Sequence, residues 1–145
     1  MLLVQAIALG LVVGFFCFEL TGIVAAGLVT PGYFAIYFDQ PLLIAESIGV
    51  AILTMLLVRL ASTVTVLYGR RRFILTILLG FCLQWLIGGL FWGAAVYHTR
   101  IDAVGFIIPG LIAHEMERQG AGVTLIALLV VSTVVRILLH LFMLI

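Results

Sequence analysis

Apolar residues fill this chain in long runs, and polar side chains are confined to short punctuations between them. Four runs reach or approach the ~20 residues that carry a helix across a bilayer: Leu2 to Phe18, Leu42 to Leu67, Phe73 to Val96 and Val123 to Ile145. A fifth uncharged stretch, Leu20 to Phe38, is interrupted by Gly22, Gly27 and Pro31-Gly32, so its pattern predicts a re-entrant or broken segment. The first run is not read as a signal peptide: it lacks a basic leader, and Glu19 with further apolar sequence stands where a small-residue cleavage site belongs.

The interruption occurs twice. Gly27-Leu28-Val29-Thr30-Pro31-Gly32-Tyr33-Phe34-Ala35 and Gly105-Phe106-Ile107-Ile108-Pro109-Gly110-Leu111-Ile112-Ala113 follow one pattern, at an offset of about 78 residues. The predicted fold is therefore all-α and membrane-integral, a single domain over residues 1–145. It repeats a helix, Pro-Gly break and helix unit over approximately 1–69 and 73–145, giving about four spans plus two re-entrant or broken segments. Proline fixes φ and lacks a donor while glycine permits positive φ, so each Pro-Gly predicts a tight turn, with short helices beginning near Tyr33 and Leu111.

A turn in hydrocarbon strands carbonyl and amide groups at a cost of several kcal/mol each, so both breaks are expected inside protein or along a wet cavity. The N-terminal amides beyond them would favour carboxylates. On that reading, valine at Gly32 or Gly110 disturbs function more than folding. The competing reading makes Pro-Gly a surface loop at the membrane boundary.

Composition narrows the function classes. At 66% hydrophobic and 9% charged residues, with a mean hydropathy of +1.41, the chain leaves no room for a separate soluble catalytic domain. Net charge is +1 and lysine is absent, which removes the basic footprint of a nucleic-acid binder. The one basic cluster, Arg70-Arg71-Arg72, should hold its loop on the cytoplasmic side. Simple hairpin halves then place both termini in the cytoplasm, whereas fully crossing Pro-Gly segments make inverted repeats with both termini outside. Cys17 and Cys82 lack metal-ligand spacing and read as small buried hydrophobes.

Two arginines lie deep in apolar sequence, Arg59 in the second span and Arg136 in the fourth. A charge at mid-span costs at least ~2.5 kcal/mol, so both are expected to face the bundle interior, with Glu19 and Glu46 as partners. Their separation is one residue short of the repeat, which leaves their faces unmatched. His140 shares the Arg136 face at four residues' distance. His114 and Glu115 begin no metalloprotease motif, because position 118 is arginine; His114 to Arg118 read instead as an interfacial amphipathic turn. No nucleophile with an activating base emerges, so no catalytic, cofactor-binding or metal-binding residue is assigned, and autonomous enzymatic activity is not indicated.

The ordered residues closely resemble the PgsC/CapC family over nearly the whole chain. They are Glu19 to Tyr33, Phe38-Asp39-Gln40-Pro41, Tyr68-Gly69-Arg70-Arg71-Arg72-Phe73, and Pro109 to Ala113 with Gln119-Gly120. The resemblance implies a multi-pass subunit of the bacterial cytoplasmic membrane, acting in poly-γ-glutamate synthesis and capsule export. It implies two protein partners, a Mur-ligase-like ATP-dependent amide ligase and an exterior-facing capsule subunit. ATP and divalent metal would belong to the ligase. Pro31, Gly32, Pro109, Gly110, Arg59, Arg136 and Glu19 then become candidates for the path of an anionic polyglutamate chain, and Arg70, Arg71 and Arg72 for partner contact or topology. The alternatives are a non-conducting scaffold of the same complex and a small-solute transporter, which four short spans could form only as a homo-oligomer.

Overall fold

The computed structural model describes residues 2–66, 68–92 and 103–144. Its elements are α1 (Leu2–Thr21), α2 (Thr30–Ile36), a 3-10 turn (Tyr37–Asp39), α3 (Pro41–Val64), α4 (Arg70–Trp92), α5 (Ala103–Gln119) and α6 (Ala121–Leu144). The fold is all-helical among these residues, and α1, α3, α4 and α6 are each long and apolar enough to cross a membrane. The end of the third predicted span, 93–96, and the terminal residues Leu67 and Ile145 of the second and fourth lie outside the described residues.

The chain forms two compact units, one of Met1–Ala45 with Glu115–Ile145 and one of Glu46–His114. Their boundaries fall inside α3 and α5, so they do not follow the halves of the sequence.

In the first unit α1, α2 and α6 pack together. Their shared core pairs small residues, Ala6, Ala25 and Ala35, with Val131, Val135 and Leu139. Small side chains let backbones approach closely, which is how helices gain packing energy where lipid offers no hydrophobic driving force. Gly22 ends α1 with a positive φ of 71° and an amide bond to the Phe18 carbonyl at 2.7 Å, the left-handed close that glycine adopts without strain. From there the chain runs back along the whole of α1, because Gly32 lies against Ala6, Ile7 and Gly10 near the start of that helix. The segment after α1 is thus broken and full-length.

In the second unit α5 runs antiparallel to α4. Phe106 packs on Phe81 with ring centroids 5.5 Å apart, Gly110 lies against Gly80 and Ile77, and His114 meets the Phe73 ring edge-on at 4.8 Å.

These contacts correct the tight-turn expectation. Pro31 occupies the first turn of α2, where a missing N–H costs nothing, and Pro109 lies inside the continuous helix α5. Neither Gly32 nor Gly110 has positive φ. A short helix does begin near Tyr33, at Thr30, but none begins near Leu111, and glycine serves here for close packing. Neither cysteine is fully buried: Cys17 is half-buried and Cys82 is exposed.

Candidate functional site

The four Pro-Gly residues are all buried, and each glycine is where two helix backbones touch. A Cβ on Gly10 would lie 2.7 Å from the Gly32 nitrogen, and one on Gly32 would strike the Ala6 carbonyl. In the second unit a Cβ on Gly80 would lie 2.6 Å from the Gly110 nitrogen, and one on Gly110 would lie 2.7 Å from the Ile77 Cα. Valine at either motif glycine would collide with backbone, so such variants are expected to disturb folding as well as function.

The intramembrane arginines differ sharply. On α3 the buried Ser47, Ala51, Thr54, Met55 and Val58 correspond, at one constant shift, to Thr124, Leu128, Val131, Ser132 and Val135 on α6. The same shift carries Arg59 onto Arg136, so their faces match, contrary to the sequence spacing.

Arg136 is fully engaged. Its Nη2 donates to both Asp39 carboxylate oxygens at 2.6 and 2.7 Å, Nη1 to the Ala35 carbonyl at 2.9 Å, and Nε to His140 Nε2 at 3.1 Å. Its side chain is 23% exposed and that of Asp39 76%. The Arg136 hydrogen bond, opposed by some desolvation and reinforced by the charges of Arg136 and His140, holds the Asp39 carboxyl below the usual carboxylate range.

Arg59 is exposed, and its guanidinium makes no ion pair or hydrogen bond among the described residues. Glu19 and Glu46 are therefore not the partners of these arginines. Glu46 lies on α3 about 20 Å along the helix axis from Arg59, and Gln84 Nε2 donates to its Oε1 at 3.5 Å. Glu19 is exposed near the end of α1. The sequence offered no sign that Asp39 pairs with Arg136, because the two become neighbours only when the broken segment folds back.

Arg70 and Arg71 are exposed and Arg72 half-buried in the first turn of α4. Cations there oppose the helix dipole, so they weaken the helix unless an anion compensates them.

Gln119 grips the first unit's broken segment. Its Oε1 accepts from the Val24 amide at 3.1 Å, while Nε2 donates to the Val24 carbonyl and, at 3.2 Å, to Thr124 Oγ1. His114 to Arg118 do not form an interfacial turn: they continue α5, Glu115 is buried, and Arg118 Nη1 donates back to Glu115 Oε1 at 3.4 Å.

Residues 9–125 match the profile of a family described as capsule biosynthesis CapC. The chain is 37% identical over 121 residues to the capsule biosynthesis protein CapC of Bacillus anthracis, covering 83% of this chain and 81% of that one. It is 35% identical over 128 residues to the PGA biosynthesis protein CapC of Bacillus subtilis (strain 168), covering 88% and 86%. No solved structure matches the chain.

Proposed function

Because the chain belongs to the capsule biosynthesis CapC family, we propose that it is the membrane subunit of a machinery that makes and exports poly-γ-glutamate. The observation that carries this reading is the family match over residues 9–125, supported by two relatives named for capsule and PGA biosynthesis. In this reading an ATP-dependent amide ligase, holding the nucleotide and divalent metal, forms the peptide bonds on the cytoplasmic side. An exterior-facing subunit receives the polymer. The present chain joins the two in the bacterial cytoplasmic membrane and lines part of the polymer's passage.

The passage needs spread-out, weak positive potential, since one tight site would stall a dense polyanion. Arg59 supplies such a charge, being unneutralised among the described residues. Full-length return of the broken segment along α1 favours six crossings, with the halves inverted, the Arg70–Arg72 loop inside and both ends outside.

Gentle detergent extraction tests this reading. It predicts that the amide ligase co-purifies with the chain, and that deleting the chain abolishes released polymer. A homogeneous homo-oligomer that moves a small solute in vesicles without a ligase would contradict it.

One observation favours the scaffold alternative: Arg136, the second cation expected along the passage, is neutralised by Asp39. A scaffold keeps polymer output normal in any variant that still assembles, whereas a passage does not.

A further inference from the structure

One face of α1 repeats at alternating steps of three and four residues: Gln5, Ala8, Val12, Phe15 and Glu19, all exposed. One face of α4 does the same with Arg71, Ile74, Leu78, Phe81 and Trp85, also all exposed. Each has the spacing of a seam between two packed helices, yet neither is covered within the chain. The Gln5 amide and Glu19 carboxylate on α1, and the Arg71 guanidinium and Trp85 indole N–H on α4, make no hydrogen bond or ion pair among the described residues.

Bilayer thickness decides whether lipid headgroups suffice as partners. Gln5 and Glu19 lie about 21 Å apart along the helix axis, against a hydrocarbon core of ~30 Å. Both cannot reach headgroups at once, so at least one polar side chain of this face lies in hydrocarbon, where it needs a protein partner. A two-fold pair of α1 helices would set Glu19 against Glu19, which like charge disfavours. The α4 face of a second copy fits instead. In the six-crossing arrangement of the proposed function, on which this step rests, α1 reaches the cytoplasmic side near Glu19 and α4 leaves it near Arg71, so the two faces run antiparallel. Glu19 then meets Arg71, Val12 meets Leu78, the small Ala8 meets Phe81, and Gln5 meets Trp85.

We infer that the protein assembles head to tail, with α1 of one copy packed on α4 of the next. Between α1 and α6 is a cavity of about 310 Å³ whose lining includes Gln5, Ala8, Val12, Leu139 and Phe142. It receives the Trp85 ring of the neighbouring copy, whose indole N–H donates to the Gln5 amide oxygen. The Glu19–Arg71 pair sets register and orientation, while side-chain packing supplies most of the strength. Because the two copies use different surfaces, the contact repeats around a ring or along a row. Arg59 takes no part in it.

Cross-linking in isolated membranes tests this. Two differently tagged full-length chains, both with Cys17→Ala and Cys82→Ala, are co-expressed, one carrying Val12→Cys and the other Leu78→Cys. Mild oxidation should join the two tags by a disulfide, as it should for the second pair, Phe15→Cys with Ile74→Cys. Several-fold less product is expected from Val12→Cys copies alone, or from Val12→Cys with Leu53→Cys, an exposed position on α3. Glu19→Arg in the first chain should lower the yield several-fold, and Arg71→Glu in the second should restore it. All the cysteine positions are exposed, and membrane abundance of each chain is matched before yields are compared, which separates lost contact from lost folding. Absence of a link in both pairs, equal linking to Leu53→Cys, preferential linking of α1 to itself, or a yield unmoved by Glu19→Arg each overturns the inference. Sidedness is read separately: if the ends of α1 and α4 prove to run parallel, the six-crossing reading falls, whereas a missing link between antiparallel helices sinks the assembly alone.

Discussion

At the residue scale, two arginines on corresponding helix positions differ: Arg136 is paired, while Arg59 has no partner among the described residues. Arg136 holds Asp39 and the Ala35 carbonyl, tying the end of the broken segment to α6. Either Arg136→Gln or Asp39→Asn should lower the melting temperature of the detergent-solubilised protein. The double variant should be little worse than the weaker single, because one interaction is lost in all three. The Asp39 carboxyl is shifted down in the folded protein, so its contribution is complete above the ordinary carboxylate range and is lost as pH falls through the lowered value. Melting followed into acid should therefore fall more steeply for the unaltered chain than for Asp39→Asn. Gln119→Ala removes two hydrogen bonds to Val24 and should cost about 1–3 kcal/mol, with faster hydrogen exchange at the Val24 amide. The sequence made the arginines conspicuous, because charge in an apolar run is rare. It could not reveal Asp39 as partner, since about a hundred residues separate the two and only the fold closes that distance.

At the element scale, the long spans were legible because their apolar runs match bilayer thickness. The Pro-Gly pairs were legible as special positions but not in kind. Proline in a first turn or a helix interior reads the same in sequence as proline in a turn, and what distinguishes them is the neighbouring helix. Gly10 with Gly32, and Gly80 with Gly110, let backbones meet at distances no Cβ allows. Gly32→Val and Gly110→Val should each destabilise by about 1–3 kcal/mol or more, seen as reduced folded yield and melting temperature. Normal abundance with reduced polymer in both variants would instead restore a direct functional role for the glycines. The offset of Arg59 against Arg136 misled because the connection around the 3-10 turn differs by one residue from that between α5 and α6, while the buried faces of α3 and α6 still correspond.

At the scale of the whole molecule, full-length return of the segment after α1 makes sidedness testable. In a chain with Cys17 and Cys82 replaced, single cysteines at Leu2 and Gln40 should label from outside, and one at Tyr68 only from the cytoplasm. Labelling of the Leu2 and Tyr68 positions from one side would show that the Pro-Gly segment does not cross. The most direct measurement of the central claim is polymer released by cells carrying Arg59→Gln, compared at matched levels of assembled complex. A passage that uses this unneutralised charge predicts several-fold less released polymer from an intact complex; undiminished release would contradict it.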